Sequence, residues 1–125
     1  MSTGEGGARV DMTAMSDREF LALVGRRPGM YTLSATYGRV VAFLHGYEMQ
    51  ARRRGESVLD GFDRWIEERG TPRGATGWWG QAHRVAFPDR DRVTDLAPEE
   101  DAHAVAVLFR LLDGFLADRE RGWGA

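Results

Sequence analysis

Apolar residues recur along most of this chain at spacings of three and four, the period of an amphipathic α-helix. The clearest stripe lies near the C-terminus, where Pro98 is expected in the first helical turn. That stripe comprises Ala102, Val105, Phe109, Leu112 and Leu116, widened by Leu108, Leu111 and Phe115. An apolar face this wide predicts the central helix of a bundle.

The same period and a set of capping signals predict three more helices. Ser16 followed by Glu19 is a capping box, which predicts a short helix over 17–25. A stripe from Tyr37 to Tyr47 predicts a longer helix over 36–54. Ser57 is expected to cap a third helix, which carries Val58, Leu59, Phe62, Trp65 and Ile66 and ends by Gly70.

The segment 78–87 fits either a helical stripe or, in its last residues, a strand, and we favour a short helix ended by Pro88. Nothing in the chain shows strand-turn-strand alternation. The sequence therefore predicts an all-α fold, a single compact bundle of about five helices over 16–125. Residues 1–15, rich in glycine, are expected to form a flexible N-terminal tail.

The motif Arg26-Arg27-Pro28-Gly29-Met30-Tyr31 joins the first two predicted helices. Pro28 fixes φ and Gly29 accepts a positive φ, so the pair predicts a rigid structural turn. Met30 and Tyr31 would then fill the corner between the helices. Arg26 and Arg27 are candidates for contact with a partner.

Composition narrows the function classes. A length of 125 residues predicts one domain, and a formal charge of −2 argues against a nucleic-acid partner. The longest apolar run is far shorter than the ~18 residues of a membrane span, and no secretory signal precedes the first helix. We therefore expect a cytoplasmic protein with neither a membrane nor a nucleic acid as partner.

The basic residues carry a strong compositional bias. All 17 are arginine, and the chain contains no lysine and no asparagine. Codons for lysine and asparagine are AT-rich, so the bias indicates a GC-rich bacterial genome, such as that of an actinobacterium. An arginine cluster here therefore needs no functional explanation by itself.

Candidate catalytic and metal-binding groups are few. The chain has no cysteine, and no serine lies in a Gly-x-Ser-x-Gly motif. His45 and Glu48 have the i, i+3 spacing of two metal ligands, although His45 fits equally a partly buried core histidine. With no third ligand in sequence reach, we expect no catalytic residue, no metal and no cofactor.

The motif "RRPGMY" also resembles a segment of the DNA gyrase B type of ATPase domain. In that family a helical asparagine holds magnesium and an Asp-x-Gly-x-Gly motif holds adenine. This chain has neither feature. We therefore reject ATP as a ligand.

The pair Trp78-Trp79 is the strongest candidate for a binding surface. Adjacent helical residues point about 100° apart, so one indole is expected in the core and the other near the surface. Trp79, with Arg73 and Arg84 close in sequence, has the composition of an interface hot spot. The alternative is that both rings close the core under the loop 70–77.

Taken in order, the motifs resemble a family of small bacterial helical proteins. They are Arg-Pro-Gly-Met-Tyr, then Phe43-Leu44-His45-Gly46-Tyr47, then Gly61-Phe62 with Trp65, a tryptophan segment and "DAHAVAVLFRLLDGF". Some members resemble the immunity proteins encoded beside polymorphic toxins. The resemblance implies a protein-binding module that occludes a cognate toxin.

Two other functions stay open on the sequence. One is a small-molecule or peptide sensor with an aromatic pocket around Tyr31, Tyr47 and Trp79. The other is a structural subunit of a larger bacterial complex.

Overall fold

Helices make up most of the part of the chain that the computed structural model describes, residues 11–71, 77–90 and 95–125. The predicted all-α class is confirmed. The helices are α1 (Asp17–Arg26), α2 (Pro28–Thr32), α3 (Tyr37–Arg53), α4 (Phe62–Glu67), α5 (Trp78–Ala86) and α6 (Pro98–Glu120), preceded by one 3-10 turn over Met12–Ala14. The ambiguous segment after Gly77 is thus helical, and α2 is a helix that the sequence did not predict.

The predicted tail is described only from residue 11 onward, and residues 1–10 lie outside the described part. Its last residues form the 3-10 turn, which Asp11 caps by accepting the backbone N–H of Thr13 at 3.1 Å. This local turn was not predicted from the sequence.

Capping interactions fix where the long helices begin. Ser16 Oγ accepts the N–H of Glu19 at 3.1 Å, and Glu19 Oε1 accepts the N–H of Ser16 at 2.9 Å, which completes the predicted capping box. In α6, Pro98 occupies the first turn, and Glu100 accepts the N–H of Ala97 at 2.9 Å. These starts were readable from sequence because each cap uses only neighbouring residues.

Helix α6 is central, as its wide apolar face predicts, and contacts α1, α3, α4 and α5. Two glycines allow close helix approach. A Cβ at Gly25 would lie 2.9 Å from the ring of Phe109, and one at Gly114 would lie 3.1 Å from the indole of Trp65. Larger residues at either position would push α1 or α4 away from α6.

The third predicted helix begins later than expected. Ser57 does not start an α-helix; its Oγ accepts the N–H of Asp60 at 3.1 Å within a loop, and α4 starts only at Phe62. Gly61, with φ +88°, precedes the helix in a left-handed conformation that interrupts helical geometry. The N–H groups of Val58 and Leu59 are meanwhile bound by Glu48 instead of by a helical turn.

Aromatic rings fill the space between α4, α5 and α6, and we call this cluster the aromatic core. Phe62 stacks on Phe115 at a centroid distance of 5.0 Å and lies 5.8 Å from Trp78. Trp65 meets Phe115 edge-on at 6.1 Å, and Trp123 covers Phe115 from the C-terminal end at 5.7 Å. The C-terminal residues therefore belong to the packed domain.

None of the helices within the described ranges combines the length and the apolar character that crossing a membrane requires.

Candidate binding surfaces

The Arg26–Tyr31 motif forms a corner, but its geometry differs from the predicted one. Pro28 is the first residue of α2, where its missing N–H costs nothing, and Gly29 does not have a positive φ. The chain bends instead at Arg27, with φ −143° and ψ 63°, and at Leu33, with φ +68°. The prediction that Pro28-Gly29 makes the turn is therefore wrong, because both residues are helical.

The two residues predicted to fill this corner behave differently. Tyr31 is half-buried and meets Phe20 of α1 edge-on at 6.2 Å. Met30 is 70% exposed, so the prediction that it fills the corner is wrong. Consecutive helical residues diverge by about 100°, so only one of the pair can face α1.

The outer side of this corner is apolar and basic. Leu33 is 88% exposed, and Arg26 and Arg27 are exposed beside it. Thr32 is buried, and its Oγ1 lies 3.0 Å from the carbonyl of Pro28 and 2.6 Å from that of Ser34. We call the surface formed by Arg26, Arg27, Met30 and Leu33 the α2 corner.

The two tryptophans of α5 are buried to different extents. Trp78 is buried in the aromatic core, as predicted, whereas Trp79 is half-buried. The Trp79 ring lies 4.9 Å from that of His45, and its six-membered edge covers Gly77, where a Cβ would be 2.6 Å away. The indole of Trp79 is thus packed by its own neighbours on one side and retains only part of its surface for a partner.

Of the two arginines predicted to flank Trp79, only Arg84 can be located relative to it. Arg73 lies outside the described residues. Arg84 is five positions after Trp79, about 140° around the helix, and lines a cleft with Ile66 of α4 and with Arg69, which follows α4. Trp79 and Arg84 therefore face different neighbours.

The rings of the predicted aromatic pocket are also divided. Phe20 occupies the space between Tyr31 and Tyr47, stacking on Tyr47 at 5.6 Å with an interplanar angle of 12°. The hydroxyl of Tyr47 donates to Asp17 at 2.5 Å. Trp79 contacts His45 instead, so Tyr31 and Tyr47 pack against Phe20, one edge-on and the other stacked, and do not form a pocket with Trp79.

The possible metal pair His45 and Glu48 is ruled out by the hydrogen bonds of the carboxylate. Glu48 is buried, and its oxygens accept from the N–H groups of Val58 and Leu59, at 2.7 and 2.9 Å, and from Ser57 Oγ at 2.6 Å. His45 is exposed, not a core residue. Across the described ranges, no three His, Asp or Glu side chains group as metal ligands.

Glu48 has a structural role that the sequence analysis missed. Arg52 also donates to it at 2.8 Å, while Arg119 of α6 donates to the carbonyls of Ser57 and Val58 at 3.0 and 2.6 Å. We call this arrangement the Glu48–Arg119 clamp. Burial raises the pKa of Glu48, but the hydrogen bonds from Ser57, Leu59, Val58 and Arg52 outweigh it and leave that pKa below its ordinary value.

A second buried titratable group lies on α5. His83 is almost fully buried, 5.9 Å from the ring of Tyr37, and its Nε2 has no hydrogen-bond partner within the described part of the chain. Burial lowers the pKa of His83, and the positive charge of Arg90 lowers it further. His83 is thus a neutral core residue at neutral pH rather than a proton-transfer group open to solvent.

No family model, curated protein or solved structure matches the chain. The resemblance to immunity-type proteins therefore depends on the sequence motifs alone.

Proposed function

We propose that this chain is a non-enzymatic, cytoplasmic protein-binding module of the immunity type, which occludes a cognate bacterial toxin. The α2 corner is the observation that supports it best. Met30 and Leu33 are exposed to solvent there, and so are Arg26 and Arg27, which precede them in the chain. Methionine and arginine are both enriched at protein–protein interfaces relative to the rest of the surface.

The backbone at Leu33 strengthens the proposal. A positive φ costs a leucine on the order of 1–3 kcal/mol, and glycine would avoid that cost. The side chain gains nothing in return within the monomer, because it is 88% exposed. Burying a leucine against a partner contributes about 1.5–3 kcal/mol, which offsets such strain.

The charge of the α2 corner indicates the kind of surface it would meet. Among the described residues, neither Arg26 nor Arg27 forms an ion pair; the guanidinium of Arg27 donates to the sulfur of Met30, at 4.0 Å. A partner with carboxylates around an apolar depression would complement them, and such charges mainly raise the association rate. We place the central contact here rather than at Trp79, whose ring is packed against His45.

The direct test uses the large protein encoded next to this gene, if that protein is toxic when expressed alone. Co-expression of the full chain should restore growth, and the two purified proteins should form a complex of fixed stoichiometry. A chain that neither protects nor binds would contradict the proposal. A stable complex without protection would support the structural-subunit alternative.

Two double variants locate the surface. Met30→Ser with Leu33→Gly should weaken the complex by at least tenfold, because it removes about 1.4 kcal/mol or more of apolar contact. Met49→Ser is the matched control, since Met49 is a similarly exposed methionine, at 61%, on the separate helix α3. Arg26→Gln with Arg27→Gln should slow association and reduce its dependence on salt. Equal binding by the wild type and the Met30/Leu33 variant would show that the interface lies elsewhere.

A further inference from the structure

A cleft between α4 and α5 is separate from the α2 corner and has a different chemistry. It encloses about 400 Å³, within the range of small-molecule sites. Its apolar wall consists of Ile66, Val85 and Leu111, with Pro88 at the edge. We call it the arginine cleft, because the charged residues of its described lining are all arginines.

Three guanidinium groups contribute to that lining: Arg69, Arg84 and Arg90. None of the residues that line the described part of the cleft is an aspartate or a glutamate. The cleft thus presents positive charge next to apolar surface. The matching ligand carries a negative group on an apolar body.

Two of these guanidinium groups are held in place before any ligand arrives. Arg69 lies 3.5 Å from the ring centroid of Trp65, and it donates to Asp118 at 2.6 Å and to the carbonyl of Trp65 at 3.0 Å. Arg90 lies 4.3 Å from the ring centroid of Phe87 and pairs with Glu100. Side chains fixed in this way lose less conformational entropy on binding.

The carboxylate that binds Arg69 neutralises its charge only in part, whereas Glu100 forms a one-to-one ion pair with Arg90. Asp118 is shared, since it also accepts from Arg121 and from the indole N–H of Trp65 at 2.9 Å. Each guanidinium has five N–H donors, and these contacts use only two of those on Arg69 and one on Arg90. Donors remain for a ligand carboxylate, which arginine binds in bidentate geometry.

We propose that the arginine cleft binds a small amphipathic carboxylate, such as a medium-chain or aromatic acid. The carboxylate would lie against the guanidinium groups, and the apolar body would cover Val85 and Leu111. A free inorganic anion would leave the apolar wall exposed to water, and a neutral hydrocarbon would make no hydrogen bond to the remaining N–H donors of Arg69 and Arg90. This site is independent of the protein-binding role proposed for the α2 corner.

The experiment titrates the full chain, labelled with 15N, with octanoate, 1-octanol and octylamine, which share one alkyl chain and differ in charge. Octanoate should produce saturable shifts at the amides of Gly70, Arg84, Val85 and Arg90. It should bind at least tenfold more tightly than 1-octanol, because hydrogen bonds to a charged group are lost with the alcohol. Octylamine should produce no saturable shift at these amides.

Variants of the lining residues test whether the arginines are responsible for octanoate binding. Arg84→Gln and, separately, Arg90→Gln should each weaken octanoate binding about tenfold. Arg39→Gln is the matched control, an exposed arginine of α3 outside the cleft, and it should bind octanoate like the wild type. Melting curves establish whether each variant is folded. If one of the two cleft variants does not fold, the other serves as the test.

Three results would overturn the proposal. They are equal affinity for octanoate and 1-octanol, shifts confined to amides outside the cleft, and unchanged binding in both cleft variants. Shifts at the α2 corner alone would assign the ligand to that surface. None of these results bears on whether the α2 corner binds a protein.

Discussion

The Glu48–Arg119 clamp and the α2 corner both connect helices, but opposite means stabilise them. In the clamp, a buried carboxylate and a guanidinium bind both the N–H groups and the carbonyls of the loop 57–59. In the α2 corner, an exposed leucine has a positive φ, and Thr32 alone bonds across it. The difference separates a connection held by buried hydrogen bonds from one whose side chains are largely exposed to solvent.

The aromatic core lies beside the clamp, and this packed end should therefore be far more sensitive to mutation than the corner. If instead the α2 corner proved equally sensitive, the strain and exposure at Leu33 would need another explanation. The following substitutions test this contrast from the largest expected effect to the smallest.

Truncation of Trp78 should have the largest effect. Trp78 is buried, with its ring 5.8 Å from that of Phe62, so Trp78→Ala should cost about 3–5 kcal/mol of unfolding free energy. Trp79→Ala should cost about 1–2 kcal/mol, because the ring is half-buried. The bond from the Tyr37 hydroxyl to the backbone carbonyl of Trp79, at 2.5 Å, is retained in that variant. Urea unfolding measures both, and equal losses would show that the two indoles share one core.

Neutralising Glu48 should have the next largest effect on stability. In Glu48→Gln, some of the donors of the clamp lose their charged acceptor. This loss should lower the free energy of unfolding by about 2–3 kcal/mol near neutral pH. Glu56→Gln is the matched control, an exposed glutamate of the same loop, and should change stability by less than about 0.5 kcal/mol.

The pH dependence of the Glu48 effect follows from the direction of its pKa shift. The folded-state pKa of Glu48 lies below the ordinary value of 4.5, so its contribution is present above that value and lost as pH falls. The stability gap between wild type and Glu48→Gln should therefore narrow in acid. A gap that stayed constant to pH 3 would mean that the charge of Glu48 contributes nothing.

Protonation of His83 should have a moderate effect in a different pH window. Its folded-state pKa is lowered from 6.5, so the unfolded chain takes up a proton first, and stability falls as pH drops below about 6.5. The slope is at most about 1.4 kcal/mol per pH unit and ends at the folded-state pKa. His83→Phe, which fits between Tyr37 and Phe87, should remove that slope. His45→Gln, at an exposed histidine, should keep it, and chemical unfolding between pH 7 and 5 distinguishes the two.

The sequence predicted the parts of this fold that depend on neighbouring residues. The capping box of Ser16 and Glu19 and the wide stripe of α6 were both correct, because caps and helical faces are local. Pro28-Gly29 was misinterpreted since a proline marks the first turn of a helix as readily as a turn. A helix of five residues, such as α2, is also too short to show a period.

The side-chain clusters were largely out of reach, because distant segments build them. Glu48 did leave a signal, since a charged residue lies in the apolar stripe between Leu44 and Ala51 of α3. Its loop partners could not be identified from that signal. The arginine cleft joins Arg69 to Arg84 and Arg90 only through the packing of α4 on α5, which no spacing along the chain reveals.

Replacement of Leu33 should have the smallest effect on stability and the opposite sign. Glycine accepts φ +68° without strain, so Leu33→Gly removes a cost of about 1–3 kcal/mol. It also adds about 0.5–1 kcal/mol of backbone entropy to the unfolded chain, and little contact is lost because Leu33 is 88% exposed. We therefore expect a net gain in the free energy of unfolding of between about 0 and 2 kcal/mol, measured by urea denaturation. Leu33→Ala is the matched control, since it removes the same exposed side chain but keeps a Cβ at a positive φ, and it should not stabilise the fold. If Leu33→Gly destabilised the protein while Leu33→Ala did not, the backbone of the α2 corner would carry no strain, and the contrast with the clamp would fail.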